Sequence, residues 1–164
     1  MTPEFKSWPK IPRWENETYI ITEKIDGTNG CIIITDSGDV FAQSRSRILD
    51  ESSKGDNYGF CKWVKGNQAD LLSLGVGYHY GEWWGLGINR GYGLKERRFS
   101  IFNLWHETAP ECVSKVPIVA SNYEQAWNRL KELGSVASPG FMNPEGFVML
   151  ASQNLGVRYK VLFD

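Results

Sequence analysis

Two β-branched runs flank Glu23-Lys24-Ile25-Asp26-Gly27-Thr28-Asn29-Gly30, and no other stretch restricts the fold as much. Thr18-Tyr19-Ile20-Ile21-Thr22 alternates its faces, with Tyr19 and Ile21 on one side and Thr18, Ile20 and Thr22 on the other, as a strand requires. Cys31-Ile32-Ile33-Ile34-Thr35 is a second strand. Asp26-Gly27 is a turn dipeptide, so the two runs are predicted to pair as a hairpin. Lys24 then stands where the first strand ends. A lysine held there by a sheet has a fixed position, which is what a nucleophile needs. Taken alone, the stretch equally allows a solvated lysine on a plain hairpin.

The rest of the chain reads as more short strands with little helix. Ser37-Gly38-Asp39 turns it into a third strand, Val40–Gln43. Arg45 and Arg47 follow at i and i+2, and on extended backbone they share a face able to grip phosphate or carboxylate. Residues 50–57 are a polar loop. Tyr58–Leu74 carries Phe60, Trp63, Val64, Leu71 and Leu72 near helical spacing, with a break expected at Gly66. The next strand, 76–85, places Glu82 among aromatics and glycines, where a carboxylate is costly unless it meets donors such as ribose hydroxyls. Gly85–Gly93 lacks the Gly-Lys-Ser/Thr ending of a P-loop and is predicted to be a mobile connection.

Strands are also predicted at Arg98–Trp105, Val113–Val119, Glu145–Leu150 and Val157–Phe163. In the last, Arg158 and Lys160 face one side, while Tyr159, Val161 and Phe163 face the core. Ser121 or Asn122 caps a packing helix that runs through Leu133 and stops at Gly134. The proline-rich lead-in, residues 1–16, is extended, and its aromatics are expected to cover the domain.

A chain of 164 residues is enough for one domain with a real core. Its net charge of −1 excludes a uniformly basic nucleic-acid binder, so any such site must come from local clustering. Seven Trp point to large packed or stacking surfaces. Cys31, Cys61 and Cys112 have neither zinc spacing nor the even number of a disulfide framework, which suggests a reducing compartment. There is no apolar run of about 20 residues and no signal-peptide pattern, so a cytoplasmic protein is expected.

Lys24-Ile25-Asp26-Gly27-Thr28-Asn29 resembles the nucleophile motif of the covalent nucleotidyltransferases, the polynucleotide ligases and mRNA capping enzymes. Further motifs match in order. Tyr80-Gly81-Glu82 resembles the ligase motif whose glutamate contacts ribose, and Glu145-Gly146-Phe147-Val148 resembles the motif whose acid holds Mg²⁺ or hydrogen-bonds the attacking lysine. Arg45 falls about twenty positions beyond Lys24, where ligases carry an arginine. Phe102 lies 20 positions past Glu82, the place of an adenine-stacking aromatic, with Phe99 as its neighbouring candidate. Gly85-Leu86-Gly87-Ile88 is similar to the type-2, phage branch of RNA ligases. Lys160 matches the second of two family lysines; Arg158 stands in the first place, keeping the charge and changing its geometry.

The resemblance spans roughly Thr18 to Phe163 and implies an α+β nucleotidyltransferase fold: two packed, mainly antiparallel sheets flanked by helices, with the nucleotide between them. It implies an ATP-dependent RNA ligase that forms lysyl-AMP on Lys24 and passes AMP to a 5′-phosphate for strand sealing. The catalytic set is Lys24, Lys160 and Arg158. Glu23, Ile25, Asn29, Arg45, Glu82, Phe102 and Glu145 are expected at the nucleotide, with Glu23 helping to recognise the base and Glu145 holding Mg²⁺ or Mn²⁺. The implied partner is nicked or broken RNA with a 5′-phosphate and a 3′-OH, bound by a monomer without a membrane, in the host cytoplasm if of phage origin. Residues 1–164 are expected to be a single adenylation domain without a C-terminal OB or helical domain. Arg45, Arg47, Arg90, Arg97 and Arg98 would replace part of that clamp. A GTP-dependent capping-type guanylyltransferase and a non-catalytic nucleotide- or RNA-binding module share the same pattern.

Overall fold

The computed structural model describes residues 2–9, 18–152 and 156–164, the side chain of Arg158 excepted. Its strands are β1 (Tyr19–Lys24), β2 (Thr28–Ile34), β3 (Val40–Gln43), β4 (Gly77–Gly85), β5 (Arg97–Ile101), β6 (Val113–Lys115), β7 (Ile118–Ala120), β8 (Gly146–Ala151) and β9 (Val157–Leu162). They form a four-stranded sheet in the order β7-β1-β8-β9 and a five-stranded sheet in the order β3-β2-β4-β5-β6. Among the paired strands only β5 and β6 run parallel. The α+β architecture of two mainly antiparallel sheets with flanking helices is the one expected.

The helices follow local sequence closely. The predicted helix breaks where expected, into α1 (Phe60–Gly66), α2 (Gln68–Leu71) and a 3₁₀ turn over Leu72–Leu74. Phe60, Val64, Leu71 and Leu74 pack beneath the five-stranded sheet with Ile32, Val40, Trp83 and Phe99. The helix α3 (Tyr123–Leu133) starts at Asn122, whose side chain accepts the Gln125 N–H at 2.9 Å, and ends at Gly134 with φ 80°. Ala126 and Leu130 press on Ile21, Phe147 and Met149 of the four-stranded sheet.

The predicted hairpin does not form. β1 pairs with β7 and β8, whereas β2 pairs with β3 and β4. Ile25-Asp26-Gly27 therefore carries the chain from one sheet to the other. Ile25 is buried against Trp84, Tyr92 and Val116, and the Asp26 N–H donates to the Tyr92 hydroxyl at 2.9 Å. Gly27 is needed for close approach, because a Cβ there would lie 2.4 Å from the Trp83 carbonyl oxygen and 2.8 Å from Trp84 Cβ. A turn glycine and a contact glycine read alike in sequence. Gly27→Ala is expected to destabilise the fold by about 1–3 kcal/mol, the usual cost of overpacking, in a urea titration. An unchanged midpoint would show slack in the crossing.

The strand predicted over Val113–Val119 is also divided. β6 belongs to the five-stranded sheet and β7 to the other, and Val116-Pro117 is a second crossing. Proline has no N–H with which to continue the ladder. Val116 packs in the same small core as Ile25, and the Pro117 carbonyl accepts the Glu23 N–H at 3.1 Å. The two crossings thus lie against each other.

Three further expectations change. β5 ends at Ile101, so residues 102–105 leave the sheet. Val161 and Phe163 pack against the α3 cluster, but Tyr159 is exposed. Phe5 and Trp8 of the lead-in are exposed rather than covering the domain, while Arg13 and Trp14 lie outside the described residues.

Candidate active site

Strand alternation sorts the residues of β1. Thr22 and Lys24 line a cavity of about 660 Å³ between the sheets. Ile21 packs against α3, and the Glu23 carboxylate turns to the loop after it although the residue also borders the cavity. From the same sheet Val148, Leu150, Val157 and Lys160 reach the cavity, and from the opposite sheet Asn29, Tyr78, Tyr80 and Glu82. Arg45, just past β3, and residues 102–105, just past β5, complete the wall.

Lys24 is held by a carboxylate. Its Nζ lies 3.0 Å from Glu145 Oε2. The β1–β8 register pairs Lys24 with Gly146, which sets Glu145 beside it. Opposite, Glu82 sits between Asn29 of β2 and Ser100 of β5. Burial pushes the Glu82 carboxyl up to about 7, opposed by the Lys24 charge and the Gly27 N–H, and reinforced by Glu145 and Asp26. With its amide turned to suit its neighbour, Asn29 accepts from Arg45 Nε at 2.9 Å and Nη2 at 3.0 Å.

Phe102 lines the cavity half-exposed, and its N–H donates to the Tyr80 carbonyl at 3.0 Å. Phe99 is fully buried in the core, so of the two aromatic candidates only Phe102 can meet a ligand here. Ile25 borders the cavity from the crossing. Lys160 lies across from Val148 in the β8–β9 register. Arg158 belongs to β9, but its side chain is outside the described residues.

Other expected side chains are used elsewhere. The Glu23 carboxylate is 1% exposed and accepts three hydrogen bonds: from Ser135 Oγ at 2.7 Å, the Val136 N–H at 2.7 Å and the Ala137 N–H at 3.0 Å. Its carboxylate fastens the loop after α3, while the residue itself borders the cavity beside Lys24. Arg45 and Arg47 do not share a face, because Ser44 and Arg47 close a turn at 2.9 Å and Arg47 bonds the Lys54 carbonyl. Arg97 is used on the Leu86 and Tyr58 carbonyls, and Arg98 on Glu96. Of the five arginines expected to form a clamp, only Arg45 lines the cavity.

Arg90 and Asn89 have a role the sequence did not reveal. Asn89 Nδ2 donates to Asp26 Oδ1 at 3.0 Å and to the Gly27 carbonyl at 2.9 Å, and Arg90 Nε lies 3.3 Å from Asp26 Oδ2. Arg90 also bonds Asp164 and the Asn143 carbonyl. The glycine-rich loop predicted to be mobile is thus the bracket of the crossing that follows Lys24, with Ile88 and Tyr92 buried beneath it. Those two apolar side chains among the glycines were the available signal.

Among the described residues no three His, Cys, Asp or Glu side chains gather to hold a metal. Magnesium usually takes one or two carboxylates and completes its shell with water and phosphate oxygens. Glu145 at the cavity fits that pattern.

The raised Glu82 carboxyl gives a pH test. Its folded pKa lies above its ordinary value, so ionisation costs stability progressively as pH rises from about 4.5 to about 7, and the cost is constant above. Glu82→Gln removes it. The variant is expected to gain about 2–3 kcal/mol over wild type at pH 8 and nothing at pH 4, by urea unfolding. A pH-independent difference would count against an elevated Glu82.

A family model for RNA ligase matches residues 17–156. No curated protein matches the sequence. The fold is similar to an RNA ligase mutant of Naegleria gruberi solved with ATP and Mn, with TM-score 0.61 and 17% identity, covering 98% of this chain and 57% of that one. It is also similar to the same organism's RNA ligase with PPi, at TM-score 0.61 and 16% identity over 89% of this chain and 49% of that one. A further mutant with ATP and Mn gives TM-score 0.60 and 17% identity over 89% and 48%. The chain spans about half the length of the solved ligases it matches.

Proposed function

Because the chain belongs to the RNA ligase family, we propose that it is an adenylation domain that joins RNA ends at the expense of ATP, through AMP carried on Lys24. One observation carries this reading: Lys24, Glu82, Asn29–Arg45, Phe102 and Lys160 line a single cavity between the sheets, and Glu145 is paired with Lys24 at its wall.

Lys24 must lose a proton before it can attack, since a free lysine is protonated near neutrality with a pKa of about 10.4. Glu145 Oε2, 3.0 Å from Nζ, is within reach to accept it. The Nζ lone pair then attacks the α-phosphate, the phosphorus–nitrogen bond forms, and the bond to pyrophosphate breaks. Lys160 stabilises charge on the α-phosphate, with Arg158 two positions earlier on the same strand. Phe102 stacks on adenine and Ile25 adds an apolar contact. Ionised Glu82 accepts from ribose hydroxyls, while Asn29 keeps Arg45 facing the nucleotide. Glu145 would also hold a magnesium or manganese ion, whose chemistry is to neutralise phosphate charge. A 5′-phosphate of RNA then takes AMP from Lys24, and a 3′-OH attacks that activated phosphate, releasing AMP and closing the strand.

The test is incubation with ATP labelled at the α-phosphate and Mg²⁺, followed by a denaturing gel. Label on the protein that excess unlabelled ATP removes and GTP does not is the expected result. Competition by GTP alone would favour a capping-type guanylyltransferase. Purified, demonstrably unmodified protein that takes no label would favour a non-catalytic binding module.

A further inference from the structure

The cavity opens onto an aromatic face, and Tyr78 and Tyr80 belong to both. The face of the five-stranded sheet that lines it continues outward across β4, β2 and β3. The registers place Gln43, Cys31 and Tyr80 in one row and Phe41, Ile33 and Tyr78 in the next. Directly opposed residues point to the same side. Cys31 and Ile33 are buried in the middle of each row, but Phe41, Tyr78 and Tyr80 are 40%, 59% and 56% exposed. The Tyr78 and Tyr80 rings are 6.3 Å apart and within 24° of parallel. Phe102 and Trp105 extend the aromatic surface at the cavity mouth, both exposed.

Cations frame this face. Arg45 lies on the cavity side, and Lys65 reaches round the β3 edge to sit 5.2 Å from the centre of the Phe41 ring. Parallel aromatic faces flanked by isolated cations suit a polyanion whose planar groups are uncovered. A duplex hides its base faces, and its recognition relies on many phosphate contacts. A chain of net charge −1 with two flanking cations is poorly equipped for that. An unpaired strand offers a stacking face on every base.

We infer that the Phe41–Tyr78–Tyr80 face takes an unpaired RNA strand leading into the nucleotide cavity, its bases stacked on the two tyrosines and its phosphates beside Arg45 and Lys65. The inference rests on the ligase reading of that cavity and sharpens it: the preferred substrate is a single-stranded break end rather than a nick in a duplex.

The experiment compares a short fluorescent 5′-phosphorylated oligoribonucleotide with a nicked duplex of the same sequence, by anisotropy on the full chain without ATP. The single strand is expected to bind more tightly, with a shallow salt dependence of about 0.7 per contacted phosphate. Tyr78→Leu/Tyr80→Leu should weaken it at least about tenfold, since each lost stack is worth about fivefold or more and two are lost. Phe41→Ala/Lys65→Ala, outside the cavity lining, should weaken it several-fold and leave ATP labelling unchanged. Equal or tighter binding of the nicked duplex overturns the proposal. So does unchanged affinity in the tyrosine variant with its melting temperature intact. Self-association in sedimentation that the tyrosine substitutions abolish would also overturn it, assigning the face to a second copy. Failure of the ligase reading shows separately, as absent labelling, because RNA affinity is measured without ATP.

Discussion

Lys24→Ala is expected to lose covalent AMP attachment by at least about 10³-fold, as loss of a nucleophile does. Lys160, the other described lysine lining the cavity, stands on β9 and lacks the carboxylate that pairs Lys24. The loss should come with little unfolding, because the Lys24–Glu145 pair keeps partial access to water and such pairs contribute modestly. Lys24→Arg is the informative companion: it keeps a cation for Glu145 but supplies no amine, and should be equally unlabelled. Removing the Lys24 charge also removes a group that pulls the Glu82 carboxyl down, so Glu82 should titrate still higher in Lys24→Ala than in wild type. Intact-mass measurement after ATP treatment, with a melting curve beside it, reads both effects. Surviving label would move the nucleophile elsewhere.

One residue earlier the expected outcome reverses. Glu23→Ala should cost about 2–4 kcal/mol of stability, because one buried and two part-buried donors lose their acceptor and each buried unsatisfied group costs about 1–3 kcal/mol. The buried Ser135 hydroxyl and the part-buried Val136 and Ala137 N–H groups would lose their acceptor. Urea unfolding measures the loss. At a temperature where the variant remains folded, labelling should stay near the wild-type level. A stable variant that no longer labels would return Glu23 to the nucleotide. Neighbours on one strand thus separate chemistry from architecture, because consecutive side chains leave a sheet on opposite faces.

That alternation also explains what was readable in advance. Lys24, Glu82, Glu145 and Phe102 were legible because their motifs are local; Lys24, Glu82 and Phe102 line the shared cavity, and Glu145 pairs with Lys24. The carboxylate partners of Glu23 were not legible, because Ser135, Val136 and Ala137 lie more than a hundred positions along the chain. The α3 boundaries were legible from Asn122 and Gly134, which act within one turn. The β1–β2 crossing was not, since Asp26-Gly27 has the composition of a hairpin turn and its true partners, Trp83, Asn89 and Tyr92, lie far along the chain. Arg97 and Arg98 looked like free cations for the same reason: the carbonyls and carboxylate they satisfy become neighbours only in three dimensions.

The two sheet-to-sheet crossings, Ile25–Gly27 and Val116-Pro117, share one small core and are joined by the Glu23 N–H to Pro117 bond. Mechanically this is a door hung on adjacent hinge pins. Any rocking of one sheet against the other would turn about that line and displace Lys24, one residue from it, less than the parts of the sheets that lie far from it.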